Sequence, residues 1–357
     1  MTGDGLTSGQ VSSLLLAWYG RAGRQLPWRQ TREPYRIWLS EIMLQQTGVD
    51  TVIPYYLKFL DRFPDVSTLA DAELDAVIAL WAGLGYYSRA RNLHAAARQV
   101  VSAHDGRFPA DLASLQSLPG VGRSTAGAIL AIAFDRKGVI LDGNVRRVLC
   151  RLFALEQDPR AVAAERQLWC WAEALTPEDR PHDYAQAIMD LGATVCTPRQ
   201  PKCAACPLAG LCRARAANLQ HELPRSRQKK TVPVQTQVAL LLERSGRLLV
   251  RKRPLDGMLG GLWEFPAAAV AAGKDPACAA RKLLAELGLA GELREAGAVR
   301  HAYSHFKLDL HCYRGAVDGP LLVAEAGESR WLELAELGAI PLHGAHKKVL
   351  ALLASNR

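Results

Sequence analysis

Two carboxylates lie in sequence contexts that suggest a catalytic role. Glu41 lies inside a helical apolar pattern, and its neighbours three and four positions away are mostly apolar. Burial there would raise its pKa and make it a proton donor, whereas a glutamate at the edge of the pattern would simply be solvated. Asp142 follows the apolar run 139–141 at the start of another predicted helix. It can cap that helix, and the helix dipole predicts a lowered pKa that would keep it an anion.

Four cysteines form the strongest local motif of the sequence. Cys196, Cys203, Cys206 and Cys212 follow the spacing C-x6-C-x2-C-x5-C, which can close a tetrahedral thiolate site. Zinc and an iron–sulfur cluster are the alternatives. Paired zinc knuckles have two short C-x2-C pairs separated by a longer loop, and this string lacks the second pair. The spacing therefore favours an iron–sulfur cluster.

A glycine-rich segment, Leu-Pro-Gly-Val-Gly at 118–122, precedes a helical pattern over 123–134. Backbone amides exposed at a helix N-terminus can bind a phosphate without a charged side chain. An ordinary corner between two helices is the alternative, because Pro-Gly pairs mark turns in general. Similarly, the aromatic pair at 86–87 could stack on bases or pack in a core.

Helical patterns carry these residues. They are predicted over 11–22, from Pro34 past Glu41, through most of 49–101, over 123–134, after Asp142, and through 161–195. The basic, aperiodic stretch 224–234 reads as a linker. Strand patterns follow at 238–242 and 248–250 around the turn at 245–246, from 262 and at 306–312, with helices over 276–287 and 344–354. The sequence thus predicts an all-α domain joined to an α+β domain.

Composition limits the class of protein. The chain has 357 residues, 49% hydrophobic and 22% charged, which is typical of a globular protein long enough for two domains. A net charge of +9 and a pI of about 9.2 indicate a polyanionic partner or a generally basic surface. No stretch has the roughly 20 apolar residues of a membrane span, and the N-terminus lacks the pattern of a signal peptide. We expect a cytosolic protein whose cysteines bind metal or stay reduced.

Taken together, the motifs resemble those of the adenine DNA glycosylases of the MutY type. The matching segments, in chain order, are WLSEIMLQQT at 38–47, GLGYYSRARN at 83–92, LPGVG at 118–122, LDGNV at 141–145 and the four cysteines. The glycine-rich segment at 118–122, which would form the hairpin, Asp142 and the four cysteines are shared by the wider helix-hairpin-helix glycosylase superfamily. The segment around Glu41 and the second domain narrow the resemblance to the MutY type.

The resemblance implies an architecture and an activity. An all-α helix-hairpin-helix domain over 1–223, with a [4Fe-4S] cluster loop at 196–212, would be joined by the linker 224–234 to a Nudix-like α+β domain over 235–357. The enzyme would hydrolyse the N-glycosidic bond of adenine opposite 8-oxoguanine or guanine in double-stranded DNA and leave an abasic site. We expect a cytoplasmic monomer, nucleoid-associated if bacterial, with no membrane partner.

The resemblance also implies roles for individual residues. Glu41 would protonate adenine N7 and Asp142 would stabilise the cationic sugar. Ser124 occupies the position of the lysine that makes related enzymes strand-cleaving lyases, so this enzyme would be monofunctional. Catalytic support and the adenine pocket would come from Asn144, Ser124, Trp28, Arg29, Leu44 and Val49, and DNA contacts from Gln46, Thr47, Tyr86, Leu118, Gly120, Val121 and Gly122. Tyr303, Ser304 and His305 would read the lesion, with tyrosine in place of the usual phenylalanine.

Three other functions compete with this interpretation. A strand-cleaving glycosylase of the endonuclease III type is disfavoured by Ser124 and by the extra domain. A Nudix hydrolase is disfavoured because Lys282 and Ala285 stand where metal-binding glutamates are expected. A non-catalytic iron–sulfur protein would leave Glu41 and Asp142 without chemistry.

Overall fold

The chain divides into two units in a computed structural model that describes residues 6–225, 232–255, 257–303, 305–319 and 328–355. Within those residues, the first unit comprises the stretches up to Asp71 and from Asn92 onward to the linker region, and the second comprises Ala72–Arg91 and the C-terminal part of the chain. The linker predicted at 224–234 is described only in part, because 226–231 lie outside the described residues. The domain boundaries derived from the sequence remain predictions.

Helices dominate the N-terminal two thirds of the chain. The α-helices there are α1 (Ser8–Ala22), α2 (Pro34–Leu44), α3 (Val49–Arg62), α4 (Val66–Ala70), α5 (Leu74–Trp81), α6 (Ser88–His104), α7 (Leu112–Ser117), α8 (Arg123–Phe134), α9 (Gly143–Leu152), α10 (Val162–Leu175), α11 (Pro181–Asp190) and α12 (Arg213–Ala216). A π-helical turn, Leu191–Val195, continues α11.

Local capping explains where the helices begin. Helix α2 starts at Pro34, as predicted, and the Glu33 carboxylate accepts hydrogen bonds from two amides of its first turn. Helix α1 starts before the predicted residue 11, because Thr7 and Gln10 form a capping box that the apolar pattern does not register. The helix predicted over 161–195 is interrupted after Leu175, and Pro181 takes the first position of α11.

The core of the first unit lies among helices α1, α8, α9, α10 and α11. Two glycines allow backbone segments to approach one another closely there. A Cβ on Gly127 of α8 would lie 2.1 Å from the carbonyl oxygen of Val139, and a Cβ on Gly192 would lie 2.6 Å from Cβ of Asn144. The segment that precedes Asp142 is therefore held against α8, and the π-helical turn is held against the start of α9.

The C-terminal part forms a mixed sheet. Its described strands are β1 (Val234–Arg244), β2 (Arg247–Lys252), β3 (Trp263–Glu264), β4 (Ala267–Ala269), β5 (Arg294–Ala302), β6 (Lys307–Ala316) and β7 (Ser329–Leu332). The strand order is β3-β2-β1-β6-β5, with β4 paired to β1 and β7 paired to β2. The β1–β6 pair is parallel, from Val234 opposite Lys307 to Glu243 opposite Ala316, and the other strand pairs are antiparallel.

Two helices cover the sheet. Helix α13 (Pro276–Glu286) packs on one face and α14 (Gly344–Ser355) packs on the other, since alternate residues of β1 belong to the two cores. The predicted hairpin is confirmed, with Ser245 and Gly246 both at positive φ between β1 and β2. The strand predicted to begin at 262 is present and covers Trp263–Glu264.

Candidate active site

A cleft of about 840 Å³ in the first unit brings the two predicted carboxylates together. Glu41 reaches it from the last turns of α2, and Asp142 reaches it from the N-terminus of α9. Every residue predicted for the adenine pocket also lines this cleft, together with one predicted DNA contact. These residues are Trp28, Arg29, Leu44, Thr47, Val49, Ser124 and Asn144.

The environment of Glu41 favours its protonated form. Glu41 is half-buried, and burial raises its pKa to about 7. The negative charge of Asp142 raises the pKa further, and the positive charge of Arg29 opposes the rise. The predicted direction of the shift is confirmed. Glu41 can therefore hold a proton near neutral pH and release it to a base in the cleft.

Asp142 caps α9, as predicted, but the prediction that its pKa would be lowered is wrong. Its carboxylate accepts a hydrogen bond from the Val145 amide at 2.7 Å and one from Nδ2 of Asn144 at 3.2 Å. Burial nevertheless raises the pKa of Asp142, because loss of water outweighs these hydrogen bonds and the charge of Arg147. The two hydrogen bonds and the charge of Arg147 favour the anionic form of Asp142 and so oppose the effect of burial.

Ser124 helps to place Asp142. Its hydroxyl oxygen accepts a hydrogen bond from the backbone amide of Leu141 at 3.0 Å. Because Gly127 permits the close approach of the same segment to α8, the chain just before Asp142 is held at two points on one helix. The serine is therefore a structural neighbour of the carboxylate and carries no amine.

A buried ion cluster beside the cleft was missed from the sequence. The side chain of Asp190 is fully buried and forms two hydrogen bonds with Arg29, at 2.6 and 2.7 Å, and further bonds with Arg24. Both arginines line the cleft. The charge of Arg29 is thus largely neutralised by Asp190, which explains why it fails to hold the pKa of Glu41 down. Arg29 and Asp190 are 161 positions apart, so no local pattern could pair them.

A second group that the sequence did not reveal joins Asp142 to the cysteine loop. Asn144, which donates to Asp142, accepts a hydrogen bond from Arg147 at 2.8 Å. Arg147 also donates to the carbonyl oxygens of Gly192 and Cys196, at 2.8 and 2.7 Å. A continuous set of hydrogen bonds therefore runs from the Asp142 carboxylate to the first cysteine of the motif.

The four cysteines of the motif line one small cavity, and all four are free thiols. The buried side chain of Arg151 lines it too and donates to Sγ of Cys196 at 3.3 Å and to the carbonyl oxygens of Thr197 and Pro198. A guanidinium beside the sulfurs suits thiolate ligands, which bring negative charge. The residues present therefore fit an iron–sulfur cluster held by Cys196, Cys203, Cys206 and Cys212.

The glycine-rich segment forms a hairpin between α7 and α8. Leu118 and Val121 are buried, while Gly120 and Gly122 are exposed. Gly120 has a φ of 78°, and a Cβ there would lie 3.0 Å from Cβ of Asn92. Gly122 occupies the cap position of α8 without a capping side chain. The first-turn amides of α8 are thus left for an external acceptor such as a phosphate.

Gln46 and Tyr86 are exposed and have left-handed backbones, with φ of 60° and 50°. Gln46 follows the end of α2 in the first unit, and Tyr86 precedes α6 in the second. Such strained backbone conformations cost energy in residues other than glycine and are common at functional sites.

The predicted lesion-reading residues lie between β5 and β6. Ser304 lies outside the described residues, and His305 is exposed. Tyr303 is half-buried, its hydroxyl is 3.0 Å from Nδ1 of His343, and its ring packs against His301 and Phe306. The hydroxyl group that distinguishes this residue from phenylalanine therefore has a specific partner.

Three family models match the chain. Residues 39–174 match the HhH-GPD superfamily of base excision DNA repair proteins, and residues 196–212 match the iron-sulfur binding domain of endonuclease III. Residues 237–352 match the NUDIX domain. The chain therefore contains a helix-hairpin-helix glycosylase domain, a loop that binds an iron–sulfur cluster, and a Nudix-like domain.

Similar proteins agree with these matches. The adenine DNA glycosylase of Homo sapiens is 38% identical over 94% of this chain and 72% of its own length. That of Buchnera aphidicola subsp. Baizongia pistaciae is 41% identical over 71% of this chain and 72% of its own length. The structure of a thermostable thymine-DNA glycosylase superposes with a TM-score of 0.54 and 30% identity, covering 59% of this chain and 97% of that one. No described helix is long and apolar enough to cross a membrane.

Proposed function

Because this chain belongs to the adenine DNA glycosylase family, we propose that it removes adenine paired with 8-oxoguanine or guanine in double-stranded DNA. The reaction is hydrolysis of the N-glycosidic bond. The observation that supports this most directly is the pair of carboxylates in one cleft, in which Glu41 can hold a proton near pH 7 and Asp142 accepts two hydrogen bonds that favour its anion.

The two carboxylates have different tasks in this reaction. Glu41 donates its proton to N7 of the adenine, so that the electrons of the glycosidic bond can leave with a neutral base. Asp142 then stabilises the positive charge that develops on the sugar. Water adds to the sugar, its proton returns to the cleft, and the products are adenine and an abasic site. General acid catalysis accounts for roughly 10²- to 10⁴-fold of the rate, so electrostatic stabilisation by Asp142 must supply much of the rest.

The enzyme is monofunctional in this proposal. A lyase needs an amine that attacks the sugar and forms a Schiff base. Ser124 has a hydroxyl group that already accepts a hydrogen bond from Leu141, so it supports the position of Asp142 instead. A gel assay with adenine opposite 8-oxoguanine tests the whole reaction. We expect strand cleavage only after alkali treatment, and cleavage without alkali would identify a lyase.

The cluster is proposed to be of the [4Fe-4S] type, held by Cys196, Cys203, Cys206 and Cys212. When bound, it supplies structural order to the loop with the exposed residues Arg199 and Lys202 and to the adjoining helix α12 with the exposed residues Arg213 and Arg215. These residues are placed to attract phosphates of the DNA. We expect about four iron and four sulfide per chain. Zinc in protein purified without oxygen would contradict this assignment.

DNA contacts are proposed for the hairpin and for two exposed side chains. The amides around Gly120, Val121 and Gly122, beside Leu118, are suited to bind a phosphate of the backbone. Gln46 and Tyr86 would enter the duplex as the adenine is extruded, and Thr47, which lines the cleft, would contact the same DNA. An adenine inside a duplex is out of reach of Glu41, so extrusion is required before chemistry. A monomer remains a prediction.

Recognition of 8-oxoguanine is proposed for Tyr303, Ser304 and His305. Tyr303 would stack on the lesion, and its hydroxyl bond to His343 holds the ring in one orientation. His305 is exposed and free to contact a base edge. The experiment compares excision from 8-oxoguanine·A and G·A duplexes for wild type and His305→Ala. We expect the ratio to fall by about 5- to 100-fold, as for loss of one base contact. An unchanged ratio would remove His305 from lesion recognition.

A further inference from the structure

The hydroxyl group of Tyr303 is held in the interior of the second unit by His343. Its oxygen lies 3.0 Å from Nδ1 of His343, and Nε2 of the same ring lies 3.4 Å from a carboxylate oxygen of Glu264. His343 and Glu264 are each only 3% exposed. The three side chains therefore form a row that begins at the turn between β5 and β6 and ends on β3.

The partners in this row determine where its hydrogens lie. Against the effect of burial, a hydrogen bond with His343 and the charges of two arginines lower the pKa of Glu264 to about 2. The carboxylate can then only accept, so Nε2 of His343 carries the hydrogen and donates it. Burial lowers the pKa of His343, which keeps the ring neutral and leaves a lone pair on Nδ1. Burial raises the pKa of Tyr303 to about 12, so its hydroxyl group donates to Nδ1.

Tyr303 also closes the turn that carries His305. Its backbone amide donates to the carbonyl oxygen of Phe306 at 2.9 Å, and its ring centre lies 4.9 Å from that of Phe306 and 4.5 Å from that of His301. His305 is exposed and lies between the two paired positions of the turn. The position of His305 therefore depends on how firmly Tyr303 is held.

Phenylalanine, which the resemblance leads one to expect in place of Tyr303, would not suit these surroundings. It would take the hydroxyl donor away from Nδ1 of His343 and leave a buried acceptor opposite an apolar ring. A buried polar atom that loses its partner is costly. Tyr303 and His343 thus require each other in this chain.

A metal ion is the alternative for this buried group, because Glu264, His343 and His346 offer ligand atoms within 4.8 Å of one another. The lone pairs that a metal would need are already engaged. Each oxygen of Glu264 accepts a hydrogen bond from an arginine, at 3.0 and 2.5 Å. Nδ1 of His346 accepts one from the Phe265 amide at 2.9 Å. These contacts favour a hydrogen-bonded support over a metal centre.

We propose that His343 is a positioning residue for recognition of 8-oxoguanine, because Glu264 orients its ring to hold Tyr303 and thereby the turn that carries His305. This inference rests on the proposed function. Buried His343 touches no base itself. It orders the turn before DNA is bound, so the contacts that are specific to 8-oxoguanine are made at a lower cost in conformational entropy.

The experiment measures adenine excision by the full chain carrying its cluster, on duplexes with adenine opposite 8-oxoguanine or opposite guanine. Single-turnover rates are taken at enzyme concentrations below saturation, so that they include binding. The quantity compared is the ratio of the two rates. General damage to the enzyme lowers both rates, whereas loss of the support lowers chiefly the rate opposite 8-oxoguanine. Urea unfolding of each variant reports on the fold separately.

The variants remove or retain the contact between Tyr303 and His343. Tyr303→Phe removes a single oxygen atom, and His343→Leu removes the acceptor while keeping a side chain of similar size. Each should lower the ratio by about 3- to 10-fold, as for loss of one hydrogen bond. The double variant should lower the ratio no further than either single variant, because both act through one contact. His343→Asn places an acceptor oxygen near the position of Nδ1 and should stay within about twofold of the wild-type ratio.

The matched control is His346→Leu, the same substitution at a second buried histidine that accepts from the Phe265 amide. It should lower the free energy of unfolding and leave the ratio unchanged. The proposal is overturned if both leucine variants lower the ratio alike, if Tyr303→Phe leaves the ratio unchanged, or if the two single effects add in the double variant.

Two further results separate this inference from its alternatives. One divalent metal ion per chain, additional to iron and lost in His343→Leu, would identify a metal centre and overturn the support. If His305→Ala lowers the ratio and His343→Leu does not, lesion recognition stands and only this inference fails. A wild type that excises adenine equally from both duplexes would instead refute the proposed recognition of 8-oxoguanine, and this inference with it.

Discussion

Glu41 and Glu264 are glutamates removed from water in two different units, and their pKa values move in opposite directions. Burial raises the pKa of Glu41 to about 7. Burial acts in the same sense on Glu264, but a hydrogen bond from His343 and the charges of Arg253 and Arg251 outweigh it and lower its pKa to about 2. Arg251 lies 3.0 Å from one carboxylate oxygen, and Arg253 lies 2.5 Å from the other.

The difference lies in the partners and not in the residue type. Among the described residues, the charge of Arg29 alone opposes the rise at Glu41, and Arg29 is already paired with Asp190. A carboxyl group that loses water without gaining partners becomes an acid, whereas one that gains two guanidinium groups becomes a permanent anion. Glu41 is thus suited to give up a proton and Glu264 is suited to hold β2 and β3 together.

The largest expected effect comes from Glu41→Gln. The amide keeps the shape of the side chain and cannot donate a proton, so single-turnover excision of adenine should fall by about 10²- to 10⁴-fold. Binding to the mispaired duplex should remain within a few-fold of wild type, measured by a gel-shift titration. A variant that still excises adenine at an appreciable rate would remove Glu41 from its proposed role.

The second prediction concerns Glu264→Gln, the same substitution at the other glutamate. Removal of the buried anion leaves Arg251 and Arg253 without their partner, so the free energy of unfolding should fall by about 3–5 kcal/mol in urea at pH 7. Glu41→Gln is the matched control and should not lower the free energy of unfolding at pH 7, because the raised pKa of Glu41 makes its charge a cost to the folded state. If both substitutions destabilise the protein alike, the contrast between the two sites is wrong.

The third prediction is the pH dependence of excision. Glu41 acts in its protonated form and its pKa is raised to about 7, so the single-turnover rate should fall about tenfold per pH unit above pH 7.

The free energy of unfolding should also depend on the ionisation of Glu41 and of Glu264, each over a different pH range. The raised pKa of Glu41 lowers stability progressively from about pH 4.5 to 7, and the lowered pKa of Glu264 costs stability as the pH falls from about 4.5 to 2.

Glu41→Gln should remove the Glu41 component of this behaviour. As the pH rises from 5 to 8, the free energy of unfolding of the variant should increase relative to that of the wild type by roughly 1–3 kcal/mol, because an amide has no charge to desolvate. Urea unfolding at the two pH values measures the difference. An excision rate that stays constant from pH 6 to 9 would contradict the assignment of Glu41 as the proton donor.

The smallest predicted effect separates the two arginines of the ion cluster. The charge of Arg29 lowers the pKa of Glu41, so Arg29→Met should shift the alkaline limb of the rate profile upward by less than about one pH unit. Arg24→Met is the matched control, because Arg24 pairs with the same Asp190 but does not act on Glu41. Equal shifts in both variants would show that the cluster acts through structure and not through charge.

Local patterns predicted the elements of the site. The start of α2 at Pro34, the cap at Asp142, the turn at 245–246 and the cysteine spacing all depend on residues a few positions apart. Hydrogen bonds and steric limits over such short distances act in the same way in any fold. The capping box of α1 and the break before Pro181 were also present in the sequence, but the apolar periodicity obscured both.

The amino-acid sequence by itself determined the residue types of the site, the helices that carry them and the family to which the chain belongs. Tertiary structure alone decided the direction of the Asp142 pKa, the pairing of Arg29 with Asp190 and the contact of Arg147 with the carbonyl oxygen of Cys196. Each of these depends on groups far apart in the chain, as Arg147 depends on a carbonyl 49 positions away. Desolvation and long-range hydrogen bonds are set by which elements pack together, and no local spacing encodes that packing.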